Sequence, residues 1–282
     1  MNPLFEVFDG GDLILSSYRD IERPLTEMRI FVAEESEVEK ARQMLKAALD
    51  IVGVGGASSD SHGGLIETCE VADEDWRFAY RRHFKTEQVS ERIFTVPEWE
   101  AEEFAKSGRL GAGQIAIVSD PGMAFGTGKH ETTRACLEYI DALSPAESFL
   151  DMGTGSGILS IAAAKLGCDR VTAFDVDQDA VGAAQENAAK NNVNFEVFKY
   201  GLGANVKREL PVCDLVVANI LGPLLIRFAD EIAPTVGRHL IISGILTELY
   251  EEVLKAYTDR GFKEVSRRTI GEWTTGRLEV EG

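Results

Sequence analysis

The sequence lacks the features that mark membrane proteins, disulfide-rich proteins and zinc-binding modules. None of its apolar runs approaches the roughly 18 residues of a membrane-spanning helix, and its N terminus has no stretch of signal-peptide length. The cysteines, Cys69, Cys136, Cys168 and Cys213, are scattered, and no His/Cys/Asp cluster points to a metal. Scattered thiols are typical of a reducing compartment. We therefore expect a cytoplasmic protein with no metal centre and no membrane partner.

Basic residues are also scarce. The 282-residue chain has 29 lysines and arginines against 47 aspartates and glutamates, which gives a formal net charge of -18. Proteins that bind nucleic acid directly need clustered basic side chains to contact phosphates, so this charge argues against nucleic acid as a direct partner. A basic protein or a cationic ligand suits it better.

The chain shows two successive patterns. Residues 1–96 mix short strand-like stretches with helical ones and predict a small α+β domain, and the charged, Gly-containing segment 97–113 is predicted to be a linker. Over residues 114–282, strand patterns alternate with helical patterns of about 10–15 residues, which predicts an α/β domain with a mainly parallel sheet. The last two strand patterns, 264–270 and 273–280, are separated by a short turn and predict an antiparallel hairpin at the sheet edge.

The Gly-rich segment FLDMGTGSGILS (149–160) follows a strand pattern and opens a helix. Its glycines, Gly153, Gly155 and Gly157, have the spacing G-x-G-x-G. The dinucleotide fingerprint G-x-G-x-x-G is absent, because Ile158 stands at the last position counted from Gly153. The spacing resembles the first motif of class I S-adenosylmethionine-dependent methyltransferases, where the absence of Cβ atoms lets the backbone approach a cofactor. An ordinary Gly-rich turn is the alternative.

The next strand pattern ends in AFDVD. Asp175 follows Gly153 by 22 residues, about the spacing of an acid that binds ribose hydroxyls. Asp177 is a rival for this role, or else it caps the following helix.

The strand pattern CDLVVAN ends at Asn219, where a polar residue is either a turn former or a site residue. Its position resembles that of the Asn in the Asn-Pro-Pro-Tyr motif of amine methyltransferases, which holds the target nitrogen. Here the motif is Asn-Ile-Leu-Gly.

The stretch DPGMAFGTGKHETTR (120–134) looks like a phosphate-binding loop, but it is not one. The first glycine of a Walker A motif is replaced by Met123, and the Ser or Thr after the lysine is replaced by His130. Thr132 and Thr133 fall on the first turn of the following helix, where hydroxyls and free N–H groups can meet a polar ligand.

These motifs, in their order and spacing, resemble the ribosomal protein L11 methyltransferase family. EDWRFAYRRHF, TVPEW and IGEWTTGRL extend the resemblance over roughly residues 73 to 282. The resemblance implies a Rossmann-like, seven-stranded, mostly parallel sheet of the class I methyltransferase type. It also implies a smaller, ferredoxin-like N-terminal domain that recognises the substrate. The implied reaction is methyl transfer from S-adenosylmethionine to lysine ε-amines or the N-terminal α-amine of a large-subunit ribosomal protein.

The resemblance also implies site residues. Carried over by motif, the cofactor-binding positions are Thr133, Gly153, Asp175 and Asn219. Gly155 belongs to the same loop, and Phe125 either lines the cofactor or target-lysine channel or is a core aromatic.

Two residues are candidates for the chemistry itself. Asn219 would hold the target nitrogen. His130 would accept the proton that a lysine, with a pKa of about 10.4, must lose before it attacks. The alternative is that His130 only orders the loop, since water can take the proton.

The sequence departs from the family pattern in two places. The family's Pro-Ser-Trp before the linker is Pro97-Glu98-Trp99 here, and the N-terminal segment shows no pattern for the first strand and helix of the ferredoxin-like domain unless MNPLFEVF is a remnant of them. These departures concern the docking of the family's substrate and not the binding of the cofactor. A methyltransferase for another protein lysine or a small amine is one alternative, and a non-catalytic cofactor-binding scaffold is another.

Overall fold

The computed structural model describes residues 14–19, 26–31, 38–39, 42–43, 84–119, 130–204 and 208–281. The chain divides into two compact units, Met1–Asp75 and Trp76–Gly282. In the first unit, strands β1 (Ile14–Arg19) and β2 (Thr26–Phe31) pair in antiparallel orientation. Most other elements predicted for the first 96 residues lie outside the described residues.

The second unit contains a small sheet of three strands, β3 (Glu87–Gln88), β4 (Ile93–Pro97) and β5 (Ile115–Ser119). β4 lies in the middle, antiparallel to β3 and parallel to β5. The segment between β4 and β5 carries a 3₁₀ turn at Glu98–Glu100 and helix α1 (Ala101–Lys106). The domain boundaries given by the sequence stay a prediction.

The rest of this unit alternates strands and helices. The strands are β6 (Ser148–Met152), β7 (Arg170–Asp175), β8 (Glu196–Lys199), β9 (Cys213–Asn219), β10 (Val236–Leu246), β11 (Phe262–Ile270) and β12 (Trp273–Val280). The helices are α2 (Glu131–Leu143), α3 (Ile158–Lys165), α4 (Gln178–Lys190), α5 (Gly222–Arg227), α6 (Ala229–Ile232) and α7 (Tyr250–Thr258).

These seven strands form one sheet in the order β11-β12-β10-β9-β6-β7-β8. The five strands from β10 to β8 pair in parallel, and β12 pairs antiparallel with both β10 and β11. The predicted mostly parallel, Rossmann-like sheet and its antiparallel C-terminal hairpin are therefore confirmed.

The central strand β9 has an almost continuously apolar sequence, and its position in the sheet explains this. Leu215 and Val217 pack into a core on one side of the sheet, and Val216 and Ala218 pack into a core on the other. Side chains alternate along a strand, so a strand covered by helices on both faces needs apolar residues at every position.

Helices bury their apolar faces against both sides of this sheet. α2 and α3 contribute to the first core, for example through Leu137 and Ile161, and α5 and α7 contribute to the second, for example through Leu225 and Val253. None of the helices in the described part of the chain is long and apolar enough to cross a membrane.

Candidate active site

The parallel strands bring the sequence motifs to one edge of the sheet. Met152 ends β6 opposite Phe174 of β7, and Asp175 is the last residue of β7. Asn219 ends β9 opposite Ser243 of β10. Because ligands of such sheets bind outside the carboxyl ends of the strands, this edge is the candidate active site.

The backbone of the Gly-rich loop after β6 is hydrogen-bonded to the neighbouring strand β7. The N–H groups of Gly153 and Thr154 both donate to the carbonyl of Phe174, each over 3.0 Å. Gly153 has a φ of +74°, and a Cβ atom at this position would lie 2.6 Å from Cγ2 of Ile220. A larger residue would be strained and would collide, so the loop depends on glycine here. A loop of bare backbone leaves room for a ligand to approach closely.

Asp175 joins this loop to the end of β7. Its Oδ2 atom accepts a hydrogen bond from the N–H of Gly155 over 2.9 Å, and its Oδ1 accepts one from the N–H of Asp177 over 3.0 Å. Each carboxylate oxygen has two lone pairs, so each can still accept a ligand hydroxyl. Asp177 has the other role considered above, because its side chain accepts from the N–H of Asp179 and caps α4.

Asp151 lies beneath the loop and was missed as a site residue. It is fully buried, and its Oδ2 accepts hydrogen bonds from the hydroxyls of Thr154 and Ser160, both over 2.7 Å. Burial raises the pKa of Asp151 to about 6, although these hydrogen bonds lower it, and the charge of Asp175 raises it further. The only available signal in the sequence was an acid at the last position but one of a buried strand.

The second oxygen of this carboxyl group has no partner among the described residues. Oδ1 of Asp151 is buried and accepts no hydrogen bond from them. A buried polar atom without a partner is costly, so the site favours a ligand that supplies a donor or a positive charge at this position.

The N terminus of α2 meets the same edge. His130 is the N-cap residue, and its Nδ1 atom lies 3.4 Å from the N–H of Thr132 and 2.8 Å from the hydroxyl of the same residue. Ser243, opposite Asn219 in the sheet, donates from its hydroxyl to the carbonyl of Thr132 over 3.4 Å. Thr133 is buried on the same first turn, with 3% of its surface exposed.

Trp273 was also missed by the sequence analysis. Its ring and the His130 imidazole form an edge-to-face pair with centroids 5.1 Å apart. Trp273 is the first residue of β12 and lies opposite Leu246, the last residue of β10. The residue belongs to the segment IGEWTTGRL, but its contact with His130 depends on the sheet.

The structure places most of the predicted site residues around this edge. Gly155 and Asp175 are in direct contact, and Gly153 belongs to the same loop. Asn219, partly buried at the end of β9, adjoins the first turn of α2 through Ser243. Phe125 lies outside the described residues.

The residues present fit the adenosyl cofactor that the resemblance implies. The carboxylate of Asp175 can accept from ribose hydroxyls, and the glycine loop allows close approach of its backbone. S-adenosylmethionine carries positive charge, which suits a site with Asp151 and Asp175 near each other. Within the described ranges, no group of three or more His, Cys, Asp and Glu residues could hold a metal ion.

The sequence is similar to those of one protein family along most of its length. The model of the family "Ribosomal protein L11 methyltransferase (PrmA)" matches residues 17–279. The chain is 39% identical over 227 residues to the ribosomal protein L11 methyltransferase of Geotalea uraniireducens, and the match covers 75% of this chain and 69% of that protein. It is 36% identical over 255 residues to the Geobacter metallireducens protein of the same name, with 90% and 81% covered.

A solved structure agrees with these sequence matches. The crystal structure of ribosomal protein L11 methylase from Lactobacillus delbrueckii subsp. bulgaricus superposes with a TM-score of 0.62 and 31% identity. The superposition covers 71% of this chain and 100% of that chain.

Proposed function

This chain belongs to the ribosomal protein L11 methyltransferase family, and on that premise we propose its substrate and the roles of its site residues. It is an S-adenosylmethionine-dependent methyltransferase with a class I fold. The methyl acceptors are amine nitrogens of a large-subunit ribosomal protein, namely lysine ε-amines or the N-terminal α-amine. The match over residues 17–279 is the observation that carries this proposal.

The cofactor-binding residues lie on the loop and strands described above. Asp175 would accept hydrogen bonds from the ribose hydroxyls, and Gly153 and Gly155 would let the loop backbone lie against the cofactor. Thr133 and Asn219 would complete the site from the first turn of α2 and the end of β9. Phe125 is proposed to line the same site. The bound cofactor supplies an electrophilic methyl group on a sulfonium.

The protein residues position the acceptor and exclude water from it. Asn219 is proposed to hold the target nitrogen, because its polar side chain follows a buried strand at the site edge. The amine must be neutral to attack, so its proton must leave first.

His130 is proposed to hold the N terminus of α2 rather than to take this proton. Its Nδ1 atom lies 2.8 Å from the hydroxyl of Thr132 and 3.4 Å from the N–H of the same residue, so this side of the ring is directed at the helix terminus and not at a substrate. The T-shaped contact with Trp273 further restricts the ring.

The charge of the chain supports a basic partner. A net charge of -18 favours association with a lysine-containing ribosomal protein and disfavours direct contact with nucleic acid. We further infer that residues 1–96 recognise this substrate, that residues 97–113 link them to the methyltransferase domain of residues 114–282, and that the protein works in the cytoplasm.

The proposal is tested by methyl transfer in vitro. The purified protein is incubated with radiolabelled S-adenosylmethionine and ribosomal protein L11, and the labelled positions are located by mass spectrometry. We expect label on lysine or N-terminal amines, and less label with the Asp175→Ala variant at the same subsaturating cofactor concentration. The same reaction is run with a mixture of ribosomal proteins. Label only on proteins other than L11 would favour a different protein substrate. Cofactor binding without any labelled product would favour a non-catalytic scaffold.

A further inference from the structure

Two buried asparagines lie one turn apart at the end of helix α4, Asn187 within the helix and Asn191 at its C-cap. Asn187 and Asn191 are exposed by only 8% and 4%, and the spacing of four residues places them on the same side of the helix end. A buried amide is costly unless it is hydrogen-bonded, so the partners of these side chains explain why they are buried. The partners lie in two separate parts of the unit.

Asn187 contacts the Gly-rich loop between β6 and α3, which is called the cofactor loop below. Its Nδ2 donates to the carbonyl of Ser156 over 2.9 Å, within the Gly-rich loop. The helix also packs tightly on the next residue, because a Cβ atom on Gly157 would lie 3.0 Å from the Cβ of Ala184. Gly155 is held from the other side by Asp175. The loop backbone is therefore held both by α4 and by the end of β7.

Asn191 holds strand β5. Its Oδ1 accepts from the N–H of Val118 over 2.8 Å, and its Nδ2 donates to the carbonyl of the same residue over 2.6 Å. The side chain thus pairs with the free edge of β5 as a neighbouring strand would. Lys165 of α3 donates to the carbonyl of Ala116 over 2.8 Å on the same strand. These side chains satisfy backbone groups that an edge strand would otherwise leave open.

The two asparagines are also connected to each other. Nδ2 of Asn191 donates to the backbone carbonyl of Asn187 over 2.8 Å. A backbone N–H can only donate and a backbone carbonyl can only accept. The orientation of the Asn191 amide therefore follows from its hydrogen bonds. A continuous series of hydrogen bonds therefore runs from Ser156 in the cofactor loop to Val118 in β5.

We propose that Asn187 and Asn191 are positioning residues for methyl transfer, which hold the cofactor loop and β5 in a single arrangement. Cofactor binding at the loop then also stabilises β5, the last described strand before His130 and Thr133. The inference rests on the proposed function, because it requires the loop to bind the cofactor.

The first test uses the unmodified protein. Amide hydrogen exchange is measured with and without S-adenosylhomocysteine, whose binding is followed separately by calorimetry. We expect the cofactor product to slow exchange in residues 115–119 as well as in the loop. Binding without any change in residues 115–119 would overturn the inference. Failure to bind at all would overturn the proposed function as well, so the two failures can be told apart.

The second test removes the donor to the loop. Asn187→Ala removes the hydrogen bond to the carbonyl of Ser156, and we expect the dissociation constant of S-adenosylhomocysteine to rise about tenfold. The matched control is Gln185→Ala, an exposed amide on the same helix, which should change this constant by less than about twofold. Asn187→Ala should also lose the protection of residues 115–119 at saturating ligand. A purely structural role would lower the unfolding temperature and leave both readouts unchanged.

A variant of the other asparagine covers the case in which Asn187→Ala does not fold. Asn191→Ala removes the hydrogen bonds to both backbone groups of Val118 and to the carbonyl of Asn187 without adding a buried charge. We expect ligand binding at the loop to persist while the ligand-dependent protection of residues 115–119 falls. Protection equal to that of the wild type would contradict the proposed coupling.

Discussion

The backbone N–H of Gly155 donates to Oδ2 of Asp175 over 2.9 Å, which joins the glycine loop to the end of the neighbouring strand. The carboxylate therefore has two tasks, since it shapes the loop and remains able to accept ribose hydroxyls. In this chain the contact fixes the glycine motif after β6 against the acid at the end of β7.

Replacing Asp175 should weaken cofactor binding. Asp175→Ala removes charge-assisted hydrogen bonds to the ligand and the bond that shapes the loop, so we expect a loss of about 1–3 kcal/mol in binding free energy. Calorimetric titration with S-adenosylmethionine measures it. The control is Asp177→Asn, which can still cap α4 and should bind nearly normally. Normal binding by Asp175→Ala would show that another carboxylate binds the ribose.

The buried carboxyl of Asp151 should make stability depend on pH. Its pKa is raised to about 6 in the folded state, from 3.8, mainly by burial. Its contribution is therefore favourable below about pH 4 and is lost as the pH rises through 6. Asp151→Asn keeps an acceptor for Thr154 and Ser160 and removes the titration. As the pH rises from 4 to 8, the free energy of unfolding of the variant should therefore increase by on the order of 2–3 kcal/mol relative to that of the wild type.

This difference is measured by urea unfolding of both proteins at pH 4.5, 6 and 8. Other carboxylates are common to the two proteins and cancel in the comparison. A difference in the free energy of unfolding that is constant over this pH range would mean that Asp151 titrates normally.

His130→Asn distinguishes the two roles of this residue. Asparagine is a good N-cap and cannot accept the proton at neutral pH. If His130 holds the helix terminus, the variant should keep more than about a tenth of the wild-type kcat, because a general base contributes about 100-fold or more. A fall of that size, with loss of the acidic limb of the pH–rate profile, would identify His130 as the base.

Arg92 should stabilise the fold far from the active site. It donates from its Nε to Oδ1 of Asp141 over 2.6 Å and from its backbone N–H to Oδ2 over 3.1 Å. Burial alone would raise the pKa of Asp141, but hydrogen bonds from Ser90 and Arg92 and the Arg92 charge hold it below its usual value. Arg92→Met leaves a buried carboxylate without its cation, so it should cost about 2–4 kcal/mol of unfolding free energy.

Chemical denaturation measures this cost at neutral pH. The control is Lys106→Met, which removes the exposed pair between Lys106 and Glu102 and should cost less than about 1 kcal/mol. Since the pKa of Asp141 is lowered, the stabilisation is present above its unfolded pKa and should decrease as the pH falls through the folded value. Equal effects of the two substitutions would show that Arg92 contributes no more than a surface pair.

Local patterns were sufficient to predict the order of strands and helices in the larger unit. The apolar run of β9 and the alternation with helices reflect burial of strands on both faces, which every residue of the strand feels directly. The spacing also brought the glycine loop and Asp175 together as one predicted site, and the two are in contact in the structure. That they bind the cofactor stays a prediction.

Only the tertiary structure decided which polar residues act together. Asp175 and Asp177 are almost equivalent in the sequence, and their hydrogen bonds separate the loop-binding acid from the helix cap. Trp273 meets His130 only because β12 lies beside β10 in the sheet.

The buried partners Asp151, Asn187 and Asn191 show the same limit. The significance of the two asparagines comes from hydrogen bonds to the Gly-rich loop and β5, and that of Asp151 from its burial and from an oxygen without a partner among the described residues. Periodicity and spacing indicate which side chains of each segment are exposed to water and which are buried in the core. The contacts that position a loop or shift a pKa depend on distances between segments, which are set only when the sheet and its helices pack together.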